Sequence, residues 1–168
     1  ALTQCSAALV LGAVAALGFT PLSLWPLSLI AAAGLLWLID AAPNGRRAFA
    51  LGWWFGLGHF TLGFNWIATA FTYQAAMPPA LGWVAVVGVA ALMALYPALS
   101  AWGAWRLGRS LATRALWFAA LWMVTEWLRG HLLSGFAWNP LGGVLLALAV
   151  LAHGAAWVGA IGLSGLVW

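Results

Sequence analysis

Among 168 residues there are only two acidic side chains, Asp40 and Glu126, against six arginines, no lysine, three histidines and one cysteine. Glu126 and Arg129, in Trp122-Met123-Val124-Thr125-Glu126-Trp127-Leu128-Arg129-Gly130, stand three apart and share a face if the segment is helical. As an ion pair they can neutralise two charges near a helix end, or hold a guanidinium ready for a phosphate or a neighbouring carboxylate. His59 falls inside an apolar run, where a polar ring needs a partner; a hydrogen-bonded, buried histidine is expected, with a proton relay as the alternative. His59, His131 and His153 lie on separate segments, none with a second ligand three or four residues on, so no metal site is expected. Cys5 can form no internal disulfide and has no base or lysine beside it to favour the thiolate. No nucleophile–base pair, Gly-rich phosphate loop or second carboxylate near Glu126 is present, so the chain offers no catalytic residue of its own.

These few polar groups sit in a sequence that is 66% hydrophobic and 5% charged. A soluble domain carries about a quarter charged residues, so most of this surface is expected to meet lipid. The fold class that follows is an all-α integral membrane protein, a polytopic bundle of about six transmembrane helices. Spans are expected at about 2–19, 22–40, 47–71, 80–105 and 114–129, with a last one within 144–168. Pro21 and Pro26 punctuate the first turn, and 41–47 and 106–114 form arginine-bearing loops. The loops at 72–79 and 130–143 are polar or Gly/Pro-rich. Residues 144–168 read either as one span or as a short interfacial helix followed by a span. The closing apolar run has neither cap nor turn and reads as part of a longer chain.

Arg46, Arg47, Arg106, Arg109 and Arg114 fall in alternate loops on one side, leaving Arg129 alone on the other. The positive-inside rule then puts the five-arginine side and the N-terminus in the cytoplasm, with 72–79 and 130–143 outside. The net charge of +4 is orientation charge in this reading, and no nucleic-acid partner is expected. Many of the fourteen tryptophans, including Trp25, Trp105, Trp127 and Trp138, fall near expected span ends, while Trp53, Trp54 and Trp122 lie deeper and are assigned to helix packing. Gly52 and Gly56, and Ala8, Gly12 and Ala16, have the four-residue spacing that lets helices approach closely. Arg129 stands on the outer side against the orientation rule. With Trp138 it is expected near the outer headgroup level, as a rim that positions a lipid.

Several blocks then resemble the bacterial apolipoprotein N-acyltransferases in order and type. They are Gly18-Phe19-Thr20-Pro21 with Leu24-Trp25-Pro26-Leu27, Gly63-Phe64-Asn65-Trp66-Ile67, Glu126-Trp127-Leu128-Arg129-Gly130, Gly135-Phe136-Ala137-Trp138-Asn139-Pro140-Leu141-Gly142, and Val158-Gly159-Ala160-Ile161-Gly162-Leu163-Ser164. The resemblance covers essentially the whole chain. Ala137 departs from a proline common before that tryptophan, and Ala160 from a frequent tyrosine. The resemblance implies the N-terminal membrane-spanning region of a multi-pass enzyme of the bacterial inner membrane. That enzyme carries an acyl chain from a phospholipid to a cysteine as a thioester, then to the α-amino group of a diacylated lipoprotein, with no diffusible cofactor. The Glu, Lys and Cys that do this belong to a nitrilase-like domain not contained in these 168 residues. The implied substrate-binding residues are Glu126, Arg129, Phe136, Trp138 and Asn139. The rival readings are a small transporter or channel subunit, which would line a common path with polar residues, and a purely structural membrane subunit.

Overall fold

A computed structural model describes residues 2–73, 78–132 and 135–168. Parts of the two expected outer loops, residues 74–77 and 133–134, lie outside that range. The described residues are helical, with no strand among them: α1 (Leu2–Ala16), α2 (Trp25–Asp40), α3 (Gly45–Gly63), α4 (Asn65–Thr72), α5 (Pro79–Met93), α6 (Leu95–Leu107), α7 (Leu111–His131), a 3-10 helix (Leu141–Ala147) and α8 (Ala149–Leu166). Two helical stretches are long and apolar enough to cross a membrane, Ala80–Leu107, which runs through α5 and α6, and Ala149–Leu166.

Helix α3 is the axis of the bundle, and small residues let its neighbours reach it. A Cβ on Gly12 of α1 would overlap the Phe55 carbonyl, and one on Gly58 would overlap the Leu9 carbonyl. On the other side, Gly52 and Gly56 face Ala94, Pro97, Ala98 and Ala101 of α6 at 2.6–3.0 Å from where a Cβ would stand. The expected close-packing role of Gly52 and Gly56 is thus observed; on α1 the buried stripe is Ala8, Gly12 and Ala15 rather than Ala16. Around this axis the core collects Leu35, Ile39, Leu51, Phe55, Phe118, Trp122 and Leu163. The bundle's exterior is itself apolar, with Trp37, Val84, Leu116, Val150 and Trp157 all more than 60% exposed.

Two expected single helices are broken. The run over 47–71 divides at Phe64, whose backbone (φ −107, ψ 13) leaves the helical path between α3 and α4. The run over 80–105 is interrupted at Ala94, which keeps helical backbone angles (φ −62, ψ −15), because Pro97 has no N–H to give to the Met93 carbonyl and its ring crowds that oxygen. Trp53 donates its indole N–H to the Ala91 carbonyl at 3.1 Å beside this break, giving that deep tryptophan a specific task. Residues 141–166 form a short 3-10 helix followed by a longer helix, nearer the second of the two readings of that segment, and α8 leaves helical geometry at Gly159 (φ 69). Helix α7 starts three residues before the expected 114, since Ser110 and Thr113 form a reciprocal capping box.

The turns separate into two ends. At one, Arg114 of α7 donates to the Asp40 carboxylate and carbonyl, both at 2.7 Å. Trp105 donates to the Ala42 carbonyl at 2.9 Å, and Arg47 reaches Gln4 and Cys5 at 3.2 Å. This end gathers the five arginines of 46–114. At the other end the 17–24 turn, the α3–α4 break and residues 135–141 come together, and the candidate site lies there.

Candidate functional site

The site begins at the last turns of α7. Glu126 and Arg129 are 6% and 3% exposed, and a guanidinium nitrogen lies 3.7 Å from Glu126 Oε1. The i, i+3 pairing is therefore present, but it lies inside the bundle. Arg129 Nη1 donates to the Trp138 carbonyl at 2.6 Å and to the Phe136 carbonyl at 3.3 Å, and its Cζ stands 5.3 Å over the Phe60 ring. The guanidinium thus grips the backbone of the 135–140 segment from within, in contrast to the outward, headgroup-level placement expected for it.

Glu126 completes the grip. Its Oε1 accepts the Leu141 N–H at 2.8 Å, and Ser164 Oγ accepts the Gly142 N–H at 2.7 Å. Leu141 and Gly142 open the 3-10 helix, whose first N–H groups have no partners within it. A carboxylate from α7 and a hydroxyl from α8 satisfy them, and negative charge is favoured at a helix start. Gly142 is required at this crossing, because a Cβ there would overlap the Ala160 carbonyl. The cap therefore ties α7, the 3-10 helix and α8 into one junction.

Asn139 holds the segment's other side. In a left-handed conformation (φ 49), which asparagine tolerates better than most residues, it donates Nδ2–H to the Gly63 carbonyl at 3.3 Å. That carbonyl is free because the helix breaks at Phe64, where the next turn bonds Ile67 N–H to Phe64 O instead. Phe136 packs edge-on against Phe64, 5.1 Å between centroids, and the half-exposed Trp138 ring lies 5.0 Å from Trp66. All five expected substrate-binding residues meet here, in two roles. Glu126, Arg129 and Phe136 face inward and fix the segment; Asn139 lines two clefts and Trp138 one of them.

One cleft, about 370 Å³, runs between the 16–22 turn, Leu62, Asn65, Trp66, Trp138 and Asn139. The other, about 380 Å³, lies among Phe19, Thr20, Ser23, Asn139, Gly143, Val144 and Ala160. They share Phe19, Thr20 and Asn139, and both walls are mixed apolar and hydroxyl or amide in character. Ala160 contributes only a methyl group to the wall of the second cleft.

Behind the pair, a cavity of about 10 Å³ is lined by His59, Tyr96, Thr125, Glu126, Arg129 and Asn139. His59 is 1% exposed, stacked on Phe55 and edge-on to Phe60, and its Nδ1 makes no hydrogen bond. Burial is as expected for His59, and so is a hydrogen bond, which the ring makes to the Gly12 backbone rather than through Nδ1. Glu126 Oε2 and the Trp122 indole N–H have no partner within hydrogen-bond geometry, though the Trp122 and Ser164 side chains stand close enough to favour the Glu126 carboxylate. His131 and His153 are exposed, each ring nitrogen 2.7 Å from the carbonyl four residues back. The sequence reading missed Ser164, whose small hydroxyl in an apolar helix resembled packing, and Asn65 and Thr20 as cleft walls.

Fold and site together define a helical scaffold in which an internal acid–arginine pair shapes a cleft-bearing end, while Cys5, the one thiol, sits at the opposite end beside Arg47. The chain belongs to the apolipoprotein N-acyltransferase N-terminal domain family, whose model matches residues 11–168. It is 39% identical over 162 residues to the apolipoprotein N-acyltransferase of Rhodopseudomonas palustris, and 40% identical over 160 residues to that of Caulobacter vibrioides. Each alignment covers 94% of this chain and 30% of the relative. A Ralstonia nicotianae protein of the same name is 39% identical over 135 residues, 78% of this chain and 26% of the relative. The chain thus spans about a third of the length of the curated relatives it matches.

Proposed function

We propose that these residues form the membrane platform of an enzyme that transfers an acyl chain from a phospholipid to the α-amino group of a diacylglyceryl-modified lipoprotein cysteine. In this reading α1, α2, α3 with α4, α5 with α6, α7 and α8 are six crossings of a bacterial inner membrane. The five-arginine end and the N-terminus are cytoplasmic. The apolar exterior, with Trp157 at 90% exposure, supports lipid as the surrounding solvent. Catalytic Glu, Lys and Cys come from the remainder of the enzyme, and these 168 residues alone transfer nothing. They hold that remainder at the outer face, where both substrates arrive anchored in the bilayer.

The observation that carries the reading is the paired cleft at the end opposite the five arginines, walled by Trp138 and Asn139 on a segment that Glu126 and Arg129 lock in place. Substrate contact is assigned to Trp138 and Asn139, and a positioning role to Glu126, Arg129 and Phe136. Trp138 is half-exposed and its removal leaves the buried contacts intact. In the full-length enzyme Trp138→Ala is therefore expected to lower lipopeptide N-acylation about ten-fold, the value of roughly one lost contact of 1.4 kcal/mol, while thermal unfolding in detergent moves little. Normal N-acylation by a stably folded Trp138→Ala enzyme overturns the assignment of the clefts. Among the described residues a transport reading finds no continuous polar path, since the polar side chains around His59 enclose a cavity of only about 10 Å³.

A further inference from the structure

At the arginine-rich end the charges do not balance within the described residues. Asp40 is taken by Arg114 at 2.7 Å, and Glu126 lies at the other end with Arg129. With only two acidic side chains in the chain, no carboxylate side chain is left for Arg46 or Arg106, and both are exposed. Arg46 lines one feature, and helical spacing puts Arg106 one turn beyond another of its lining residues, Trp102. Between α3 and α6 lies an open cleft of about 360 Å³ lined by Arg46, Phe49, Leu99 and Trp102. Leu99, Trp102 and Arg106 are spaced three and four residues apart, so they form a single stripe on α6. Arg46 and Phe49 do the same on α3. Each stripe runs from an apolar residue toward an arginine at the turn end, and Trp102, 47% exposed, lines the cleft with Arg46. Gly45 keeps the head of the cleft open, because a Cβ there would press on the Trp102 indole at 3.0 Å.

We propose that this cleft is a binding site for an anionic phospholipid of the cytoplasmic leaflet, separate from the substrate clefts. Its phosphate lies between Arg46 and Arg106 and one acyl chain lies along Phe49 and Leu99. An anion suits the site because Asp40 and Glu126, the two acidic side chains of these residues, are taken by Arg114 and Arg129. A lipid is required because the cationic head continues directly into an apolar slot. The bidentate guanidinium fork suits a phosphodiester, and each basic residue near an anionic surface adds about five-fold in affinity. The inference rests on the membrane reading and on its orientation only in naming the leaflet.

The test uses the full-length enzyme in detergent, with native mass spectrometry after adding phosphatidylglycerol or phosphatidylcholine of identical acyl chains. The expected result is about ten-fold or greater retention of phosphatidylglycerol over phosphatidylcholine. In Arg46→Gln/Arg106→Gln that preference disappears, while the lipid-free unfolding temperature and N-acylation stay normal. Arg109→Gln, which removes a charge of the same end away from the cleft, keeps it. Equal retention of the two lipids by the unaltered enzyme overturns the site, and so does loss of preference in Arg109→Gln as large as in the double variant, which indicates diffuse surface charge. Occupation of the cleft by a second copy of the chain, seen as a lipid-free dimer abolished by Leu99→Arg, also overturns it. Flotation with phosphatidylcholine vesicles separates the two levels: an enzyme that floats without lipid preference refutes the site alone, and one that does not float refutes the membrane reading beneath it.

Discussion

At the residue scale, Arg129 shows how far a pairing can be read from spacing and where the reading stops. The i, i+3 relation to Glu126 was visible in the sequence because helical periodicity requires it. The direction of the guanidinium was not, because it depends on carbonyls nine residues away that a loop brings back under α7. An exposed Arg129 would contribute little to stability; a buried one that holds two carbonyls and a carboxylate is structural as well as positioning. Removing one partner of a buried pair leaves the other charge uncompensated, at a cost of about 3–5 kcal/mol, whereas replacing both by apolar residues costs much less. Arg129→Met is therefore expected to lower the unfolding temperature strongly. Glu126→Leu/Arg129→Met should recover part of that loss even though Leu141 N–H then lacks its acceptor. The check is a double-variant cycle by thermal unfolding in one detergent. A double variant as unstable as the sum of its singles would show that the two side chains act independently. The same scale explains the missed residues. Ser164, for one, acts through a backbone N–H group, whose need for a partner appears only once the 3-10 start is known.

At the element scale, the small-residue stripes were legible because close approach of helices needs them regardless of partner. Which helix each stripe meets was not legible, since α3 uses Gly58 toward α1 and Gly52 and Gly56 toward α6. The break at Ala94 had a sequence cause in Pro97 that lay within an otherwise uniform apolar run. The break at Phe64 has no proline or glycine pair at its centre; what stabilises it is the Asn139 amide on the Gly63 carbonyl, a tertiary contact. The two kinds of helical glycine make opposite predictions. At Gly12 an added methyl must displace the Phe55 carbonyl of α3, so Gly12→Ala should destabilise by about 1–3 kcal/mol. At Gly88 of α5 nothing lies within 4 Å of the added Cβ, and alanine loses less chain entropy than glycine, so Gly88→Ala should be neutral or stabilise by up to about 1 kcal/mol. Unfolding temperatures of the two variants moving in the same direction would contradict the packing described for α1 on α3.

At the scale of the whole molecule, composition alone indicated an all-helical chain, and that is the fold observed. The proposed orientation of the proposed six crossings rests on charge. Five arginines gather at one end, where Asp40, Ala42, Trp105 and Arg114 join the α2–α3 and α6–α7 turns, and only Arg129 lies at the other, withdrawn from the surface. The burial of Arg129 removes the one apparent exception to the orientation rule, because a cation paired inside the bundle does not compete with those at the surface in deciding which end stays in the cytoplasm. Asn44 is exposed at the five-arginine end, and Tyr73, 85% exposed, follows α4 at the opposite end. In a Cys5→Ala background of the full-length enzyme, Tyr73→Cys is expected to react with an impermeant maleimide in intact cells whose outer membrane admits the reagent. Asn44→Cys should react only after the inner membrane is opened. Labelling of position 44 but not 73 in intact cells would invert the topology, and would place the Trp138 clefts on the cytoplasmic side, away from the proposed meeting of phospholipid and lipoprotein. Labelling of both before opening would show that the two turns lie on the same face, which requires an even number of crossings between them and is incompatible with α3 and α4 forming one span.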